Sequence, residues 1–257
     1  MPTLEWNRTV WDGTYDWAHG GDEWSEVWGG ATAEWHGSIL PRIHRWLPAS
    51  TVLEIAPGFG RWTQFLTGLA QRLIIVDLSE TCIAACRQRF AGAGNISYHV
   101  NDGRSLTAVA DRSIDFAFSF DSLVHVEADV LQAYIAELSR ALAANGVAFL
   151  HHSNLGAYPD ASNPHMRAAS VSAERAAAAC EGAGLRCVAQ ELVSWGPDAS
   201  VLSDCFTVLT PAGSAWDGEH RLIRNPDFMA EAACSAAREH LYARASAGVS
   251  ASVLAEE

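Results

Sequence analysis

Acidic residues and histidines in this chain fall where hydrophobic runs end, the places where side chains from separate strands can meet. Glu54 closes the run TVLE, Asp77 closes RLIIVD, and Asn101-Asp102 follows ISYHV. A carboxylate in such a place can compensate a cation, accept two bonds from a vicinal diol, or accept from an amine. Asp121 follows SIDFAFSF, with His125 four residues on, and His151 and His152 end VAFLHH. Asp and His can take a proton and give it back. Asp121, His125, Glu127 and His151 or His152 could also hold a divalent ion that lowers the pKa of a hydroxyl, but their spacing matches no metal signature.

The elements that must position these groups are readable from pattern. Thr51–Ile55 reads as a strand, Ala56-Pro57-Gly58-Phe59-Gly60 as a turn, and a helix opens at Arg61. Gly58 and Gly60 free the backbone and admit a ligand without a Cβ in its way. The helix points its unpaired N–H groups back at the turn. Such a turn at the carboxyl end of a strand is a nucleotide-type cradle.

Strands and helices alternate from there. Strands are expected at 51–56, 72–77, 96–100, 113–120 and 147–152. Helices are expected at 61–70, from a Ser79 cap to Phe90, at 129–143 with Asn145-Gly146 as a left-handed cap, and at 172–183. The irregular stretch 153–169 is long enough to expect a functional loop. Two further strand-like runs, 185–193 and 203–209, have no helix between them and predict an antiparallel hairpin. A last helix is expected over 226–247. The expected fold is α/β, doubly wound and Rossmann-like: a seven-stranded, mostly parallel sheet with a terminal antiparallel hairpin.

Residues 1–48 differ from the rest and are expected to form an N-terminal cap. Seven of the ten tryptophans fall there, among Gly13, Gly20-Gly21 and Gly29-Gly30. A helix is expected over 32–46, kinked by Pro41. Most of these rings should cover the core. Tyr15, Trp17, Trp24 and Trp28 are the candidates for walling a pocket, since their rings offer an apolar face and a polar tip.

Composition narrows the partners. A net charge of −13 with no basic stripe argues against nucleic acid and for a small-molecule substrate. The chain contains no Lys, which excludes a Walker-type lysine, a Schiff base and a pyridoxal-phosphate anchor. No apolar run is long enough to span a membrane and the N-terminus lacks a signal core, so a cytoplasmic protein is expected. The six cysteines form no Cys-x-x-Cys pair and read as buried hydrophobes. A homo-oligomer is compatible with this composition.

The third glycine of a dinucleotide fingerprint is missing, since Thr63 stands in its place. Glu54-Ile-Ala56-Pro-Gly58-Phe-Gly60 instead resembles the E/D-x-G-x-G-x-G signature of class I S-adenosylmethionine-dependent methyltransferases, with Ala for the first Gly. Asp77 stands where that family places the acid for the ribose hydroxyls. Asn101-Asp102 stands where it places an acid near the adenine amine. The resemblance covers about residues 50–210 and makes 49–257 the cofactor-binding methyltransferase domain. It implies a cofactor site of Glu54, Ala56, Gly58, Gly60, Asp77, Leu78, Asn101, Asp102, Gly103 and Phe120. Glu54 would compensate charge near the amino-acid end of S-adenosylmethionine.

Ser122–Asp129 looks like the S-L-x-H-x-x-x-D segment of small-molecule and sugar O-methyltransferases, in some of which that His is a general base. The resemblance implies His125 as base, with Asp121 or His152 orienting it, and His151 beside the substrate. His151 and His152 alternate across a strand, and His152, nearer the end, is expected to face the pocket. The expected function is O-methylation of a small polar molecule, a sugar or glycosylated natural product. The alternatives are N-methylation of an aminosugar or other small amine, and binding of the cofactor without methyl transfer. No metal is expected, with Asp121, His125 and His152 as ligands in the alternative that has one.

Overall fold

β1 (Ala49–Ile55) is buried from Thr51 onward and lies inside an eight-stranded sheet of order β3-β2-β1-β4-β5-β7-β6-β8. Its neighbours β2 (Ala70–Asp77) and β4 (Ile114–Ser119) run parallel to it. β3 (Ile96–Val100) extends the sheet beyond β2, and β5 (Leu142–Ser153) beyond β4, both parallel. The strand order reverses between β1 and β4, which is where an open parallel sheet leaves a crevice at its carboxyl ends. β7 (Asp204–Pro211) is antiparallel to both β5 and β6 (Leu185–Val193), so the expected hairpin is present. The computed structural model describes residues 2–239.

The sheet has eight strands, not seven. β8 (Arg221–Asn225) adds to the outer edge of β6, and its Leu222 and Ile223 stay exposed, so RLIRN carries no burial signal. The helix expected over 61–70 shrinks to the single α-turn Thr63–Leu66. Asn145 and Gly146 do not cap a helix. The helix Ala128–Ala141 ends earlier, and β5 already contains both residues. A Cβ on Gly146 would lie 2.4 Å from the Ile114 carbonyl oxygen, so the glycine serves close strand approach.

Each face of the sheet carries a layer. Helices Ala128–Ala141 and Ala173–Gly182 pack on one face with Leu53, Ile55 and Leu150. On the other, Trp28, Trp35, Ile39 and Ile43 pack against Val52, Phe116, Phe118 and Phe149. The helical run that supplies these residues changes pitch: Ala31–Glu34 is α, Trp35–Ile39 is π, Leu40–Ile43 is α and His44–Trp46 is 3₁₀. The wide π turn sits just ahead of Pro41, which has no N–H to give to a regular ladder. Residues 228–239 are helical, and Phe228 is buried against Trp28. The rest of the tail helix expected to 247 lies outside the described residues. Among the described residues no helix is long and apolar enough to cross a membrane.

Candidate functional site

A cavity enclosing about 770 Å³, open mouth included, lies at the carboxyl ends of β1, β2 and β4. Its floor is the turn after β1. Ala56 turns there with φ +57°, a left-handed conformation that costs a non-glycine residue roughly 1–2 kcal/mol, and its N–H donates to the Val76 carbonyl at 2.8 Å. Gly58 has φ +57° and Gly60 φ +85°. A Cβ on Gly60 would fall 2.5 Å from the Phe90 ring. Ala56 and Gly58 line the cavity, while Gly60 lets the turn close on Phe90.

Asp77, at the end of β2, lines the cavity. Its Oδ2 accepts from the Gly58 N–H at 3.2 Å and its Oδ1 from the Ser79 N–H at 2.9 Å. Burial outweighs these amides and raises its pKa to about 7. Ser79 caps the helix Glu80–Arg89, as expected, by accepting from the Cys82 N–H. Glu54 lies beneath the turn and is not on the cavity wall. Its Oε2 accepts from the Thr63 hydroxyl at 2.6 Å, its Oε1 is buried with no partner among the described residues, and burial raises its pKa to about 8. An orphaned carboxyl oxygen under a glycine turn, with a second buried acid at the cavity wall, suits a ligand that is cationic at one end and a diol in the middle.

Leu78, Gly103 and Phe120 also line the cavity, but Asn101 and Asp102 do not. The Asn101 amide donates to the Ser105 carbonyl and the Tyr134 hydroxyl and accepts from the Gly103 N–H. Asp102 is exposed and accepts from the Arg104 and Ser105 amides, which hold its pKa below the ordinary carboxylate value. Both side chains build the turn that presents Gly103.

The second wall comes from the segment after β4. Asp121 has φ +60° and lines the cavity, its Oδ2 accepting from Arg61 Nη2 at 2.7 Å. Ser122 ties this segment to the floor by donating to the Ala56 carbonyl at 2.8 Å. His125 lines the cavity, and its Nδ1 lies 3.1 Å from the Met166 carbonyl oxygen. A carbonyl only accepts, so Nδ1 carries the hydrogen and Nε2 keeps its lone pair. Burial holds the His125 pKa below its ordinary value. Neither Asp121 nor His152 bonds the imidazole, contrary to expectation. The Met166 carbonyl orients it.

The preference for His152 over His151 is reversed by the strand's alternation. His152 is fully buried away from the cavity, its Nδ1 donating to the Ser153 carbonyl and its Nε2 accepting from the Thr207 hydroxyl, and burial lowers its pKa to about 4. His151 is also fully buried, on the opposite side, where it touches Phe120 and accepts from the Asp121 N–H at 3.0 Å. It stands one layer behind the cavity wall. Among the described residues, no three His, Cys, Asp or Glu side chains converge as a metal ion would require, so Asp121, His125 and His152 form no ligand set.

The cap supplies the roof. Trp17 and Trp24 line the cavity. Trp17 stacks on Phe59 of the turn with centroids 4.4 Å apart and planes 5° apart. Tyr15 stands behind them, packed on Trp17 and Trp24, with its hydroxyl donating to Glu23. Trp28 is a core residue whose Nε1 donates to Ser38. Among the lining residues that sequence reasoning missed, Trp11 and Arg61 stand beside the histidine and the acid. Trp11 packs on His125 at 5.5 Å between centroids. Arg61, almost fully buried, contacts Ser25 and Asp121 and lies over the Trp24 and Trp62 rings. That no other Arg lies between Arg45 and Arg72 was the one available sequence signal for Arg61.

Comparison with known proteins agrees with this geometry. Residues 52–146 match a family profile described as a methyltransferase domain. The chain is 27% identical over 114 residues to phosphoethanolamine N-methyltransferase 1 of Caenorhabditis elegans, a match covering 44% of this chain and 23% of that protein. The chain thus spans less than a quarter of the length of the curated relatives it matches. An S-adenosylmethionine-dependent methyltransferase from Clostridium acetobutylicum superposes with TM-score 0.59 at 15% identity, over 77% of this chain and 98% of that one. The cyclase SpnF superposes with TM-score 0.53 at 16% identity, over 79% of this chain and 85% of that one. At these identities the two structures share the fold alone, a fold that hosts more than one chemistry.

Proposed function

We propose that the protein, whose residues 52–146 match a methyltransferase-domain profile, is a class I S-adenosylmethionine-dependent methyltransferase that O-methylates a small polar acceptor with His125 as general base. The observation that carries this reading is the His125 imidazole. It lines the cavity with Nδ1–H committed to the Met166 carbonyl, and burial disfavours its charged form. A neutral ring with a free Nε2 is what removing a hydroxyl proton requires.

When bound, S-adenosylmethionine supplies a methyl group made electrophilic by its sulfonium. The residues that would hold it are Asp77, toward the ribose hydroxyls, Gly58 and Leu78 beneath it, and Glu54, whose unpartnered oxygen lies under the turn. The acceptor would lie between His125 and Asp121. No protein partner for Asp121 Oδ1 is found among the described residues, so it is free to accept from a hydroxyl and hold it toward the base. Trp11, Trp17 and Trp24 exclude water and offer flat apolar faces, which suit a sugar or a glycosylated natural product. Residues 1–48 act as the lid of this site.

The test is release of S-adenosylhomocysteine from S-adenosylmethionine in the presence of free and glycosidic hexoses and their aminosugar counterparts. Turnover of a hydroxyl acceptor that is lost in His125→Ala supports the proposal, and binding without release would mark a non-methylating use of the fold. The similarity to a phosphoethanolamine N-methyltransferase favours a second reading, an amine acceptor beside the aromatic roof. An amine already neutral needs little help from a base, so His125→Ala would then keep most of its turnover at alkaline pH.

A further inference from the structure

Asp121 holds an unfavourable backbone conformation at the centre of the site, and a buried chain of polar groups reaches it from behind. Its φ of +60° is rare for any residue with a Cβ. Its N–H donates to His151 Nδ1 at 3.0 Å, so that nitrogen carries the lone pair and Nε2 the hydrogen. His151 Nε2 in turn donates to Asp204 Oδ2 at 3.1 Å. Asp204 is fully buried and held by the Arg167 guanidinium through both of its oxygens. Arg167 is itself about 5% exposed. The acid and the guanidinium compensate one another, so the imidazole is left as a fixed acceptor aimed at one amide.

The element that anchors this chain also sets the base. Arg167 follows Met166, whose carbonyl holds His125, and the Asn163 side chain clasps the Arg167 backbone at both its N–H and its carbonyl. The Ala168 N–H donates to the Val124 carbonyl at 2.8 Å, next to His125. One loop therefore holds His125 directly and reaches Asp121 through Asp204 and His151.

We infer that the buried Arg167–Asp204 pair fixes the His151 tautomer so that Nδ1 accepts from Asp121, and that this hydrogen-bond acceptor, which an amide oxygen in the same place can replace, holds the Asp121 backbone and with it the carboxylate that receives the methyl acceptor. His151 is a positioning residue, acting through Asp121. The inference rests on the proposed O-methyltransferase reading of the site. A carboxylate displaced by about 1 Å can lower turnover by roughly a hundredfold.

Two amide substitutions separate the imidazole's nitrogens. His151→Asn keeps an acceptor where Nδ1 stands and loses the reach to Asp204. His151→Gln keeps a donor where Nε2 stands and loses the acceptor for Asp121. In the complex with S-adenosylhomocysteine, the Asp121 amide should exchange at least tenfold faster in His151→Gln, while His151→Asn and the Ala148 and Leu150 amides of β5 keep wild-type rates. On the hexose panel, His151→Gln should lose ten- to a hundredfold in kcat/KM with an unchanged Kd for S-adenosylhomocysteine, and His151→Asn should stay within about threefold of wild type. Equal effects of the two substitutions, an Asp121 amide unchanged in His151→Gln, or full turnover by that variant would overturn the inference. Absence of wild-type turnover across the panel contradicts the O-methyl reading instead, and the amide exchange still decides the positioning. A His125→Ala variant that is inactive beside a fully active His151→Gln leaves the base standing and removes the device.

Discussion

At the scale of the residue, protonation states decide what the site does. As the proposed base, His125 must be neutral to act, and its pKa lies below the ordinary histidine value. Turnover should therefore hold level through neutrality and fall only as pH drops below about 6.5. A profile whose acid limb lies above that pH would contradict the assignment. Replacing His125 by Ala should lower kcat by roughly 10²–10⁴ with an unchanged cofactor Kd. Asp77 and Glu54 shift the other way, to about 7 and about 8. Both are substantially protonated at neutral pH before a cation arrives, and a bound cation favours their charged forms. Cofactor binding at pH 7 should thus release protons, and affinity should rise toward pH 8. Calorimetric enthalpies that do not change with the ionisation enthalpy of the buffer would contradict this.

At the scale of the element, the glycine turn is the part most fully constrained. Gly60 has a left-handed φ and no room for a Cβ beside Phe90. Gly60→Ala should cost about 2–4 kcal/mol in urea denaturation, combining backbone strain with overpacking. The turn, the acids at the ends of β1 and β2, and the antiparallel ending were legible in the sequence because they rest on local signals: apolar period, small residues, and strands without a helix between. β8 was not legible, because an exposed edge strand needs no apolar face. Asn145-Gly146 was read as a cap because Asn-Gly is ordinary turn chemistry, but the close approach of Ile114 across the sheet gives Gly146 another use. The choice between His151 and His152 turned on which face of β5 meets Phe120, a tertiary fact.

At the scale of the whole molecule, the cap and the sheet meet over the cofactor seat. Trp17 stacks on Phe59, and Asp12 accepts from the Ser79 hydroxyl and the Thr81 N–H at the start of the next helix. If residues 1–48 are the lid proposed above, these contacts open when a ligand enters or leaves. Trp17→Ala should therefore raise the dissociation rate of S-adenosylhomocysteine roughly tenfold in stopped-flow tryptophan fluorescence, with little change in melting temperature. An unchanged rate would mean the cap does not gate the site. The aromatic richness of residues 1–48 was visible from the start, but not which rings face inward. Trp28 went to the core and Trp11 to the cavity because the inward turn of a ring is decided by tertiary packing, here Phe228 against Trp28 and His125 against Trp11, and not by local pattern.

The claim on which the rest depends is that the cavity beside Asp77 seats S-adenosylmethionine. Isothermal titration of the wild-type protein and of Asp77→Ala with S-adenosylmethionine tests it most directly. One-to-one binding by the wild type, weakened by about 1–3 kcal/mol in Asp77→Ala through loss of hydrogen bonds to a charged acceptor, is the predicted result. No binding by the wild type, or equal affinity in the two proteins, would contradict it.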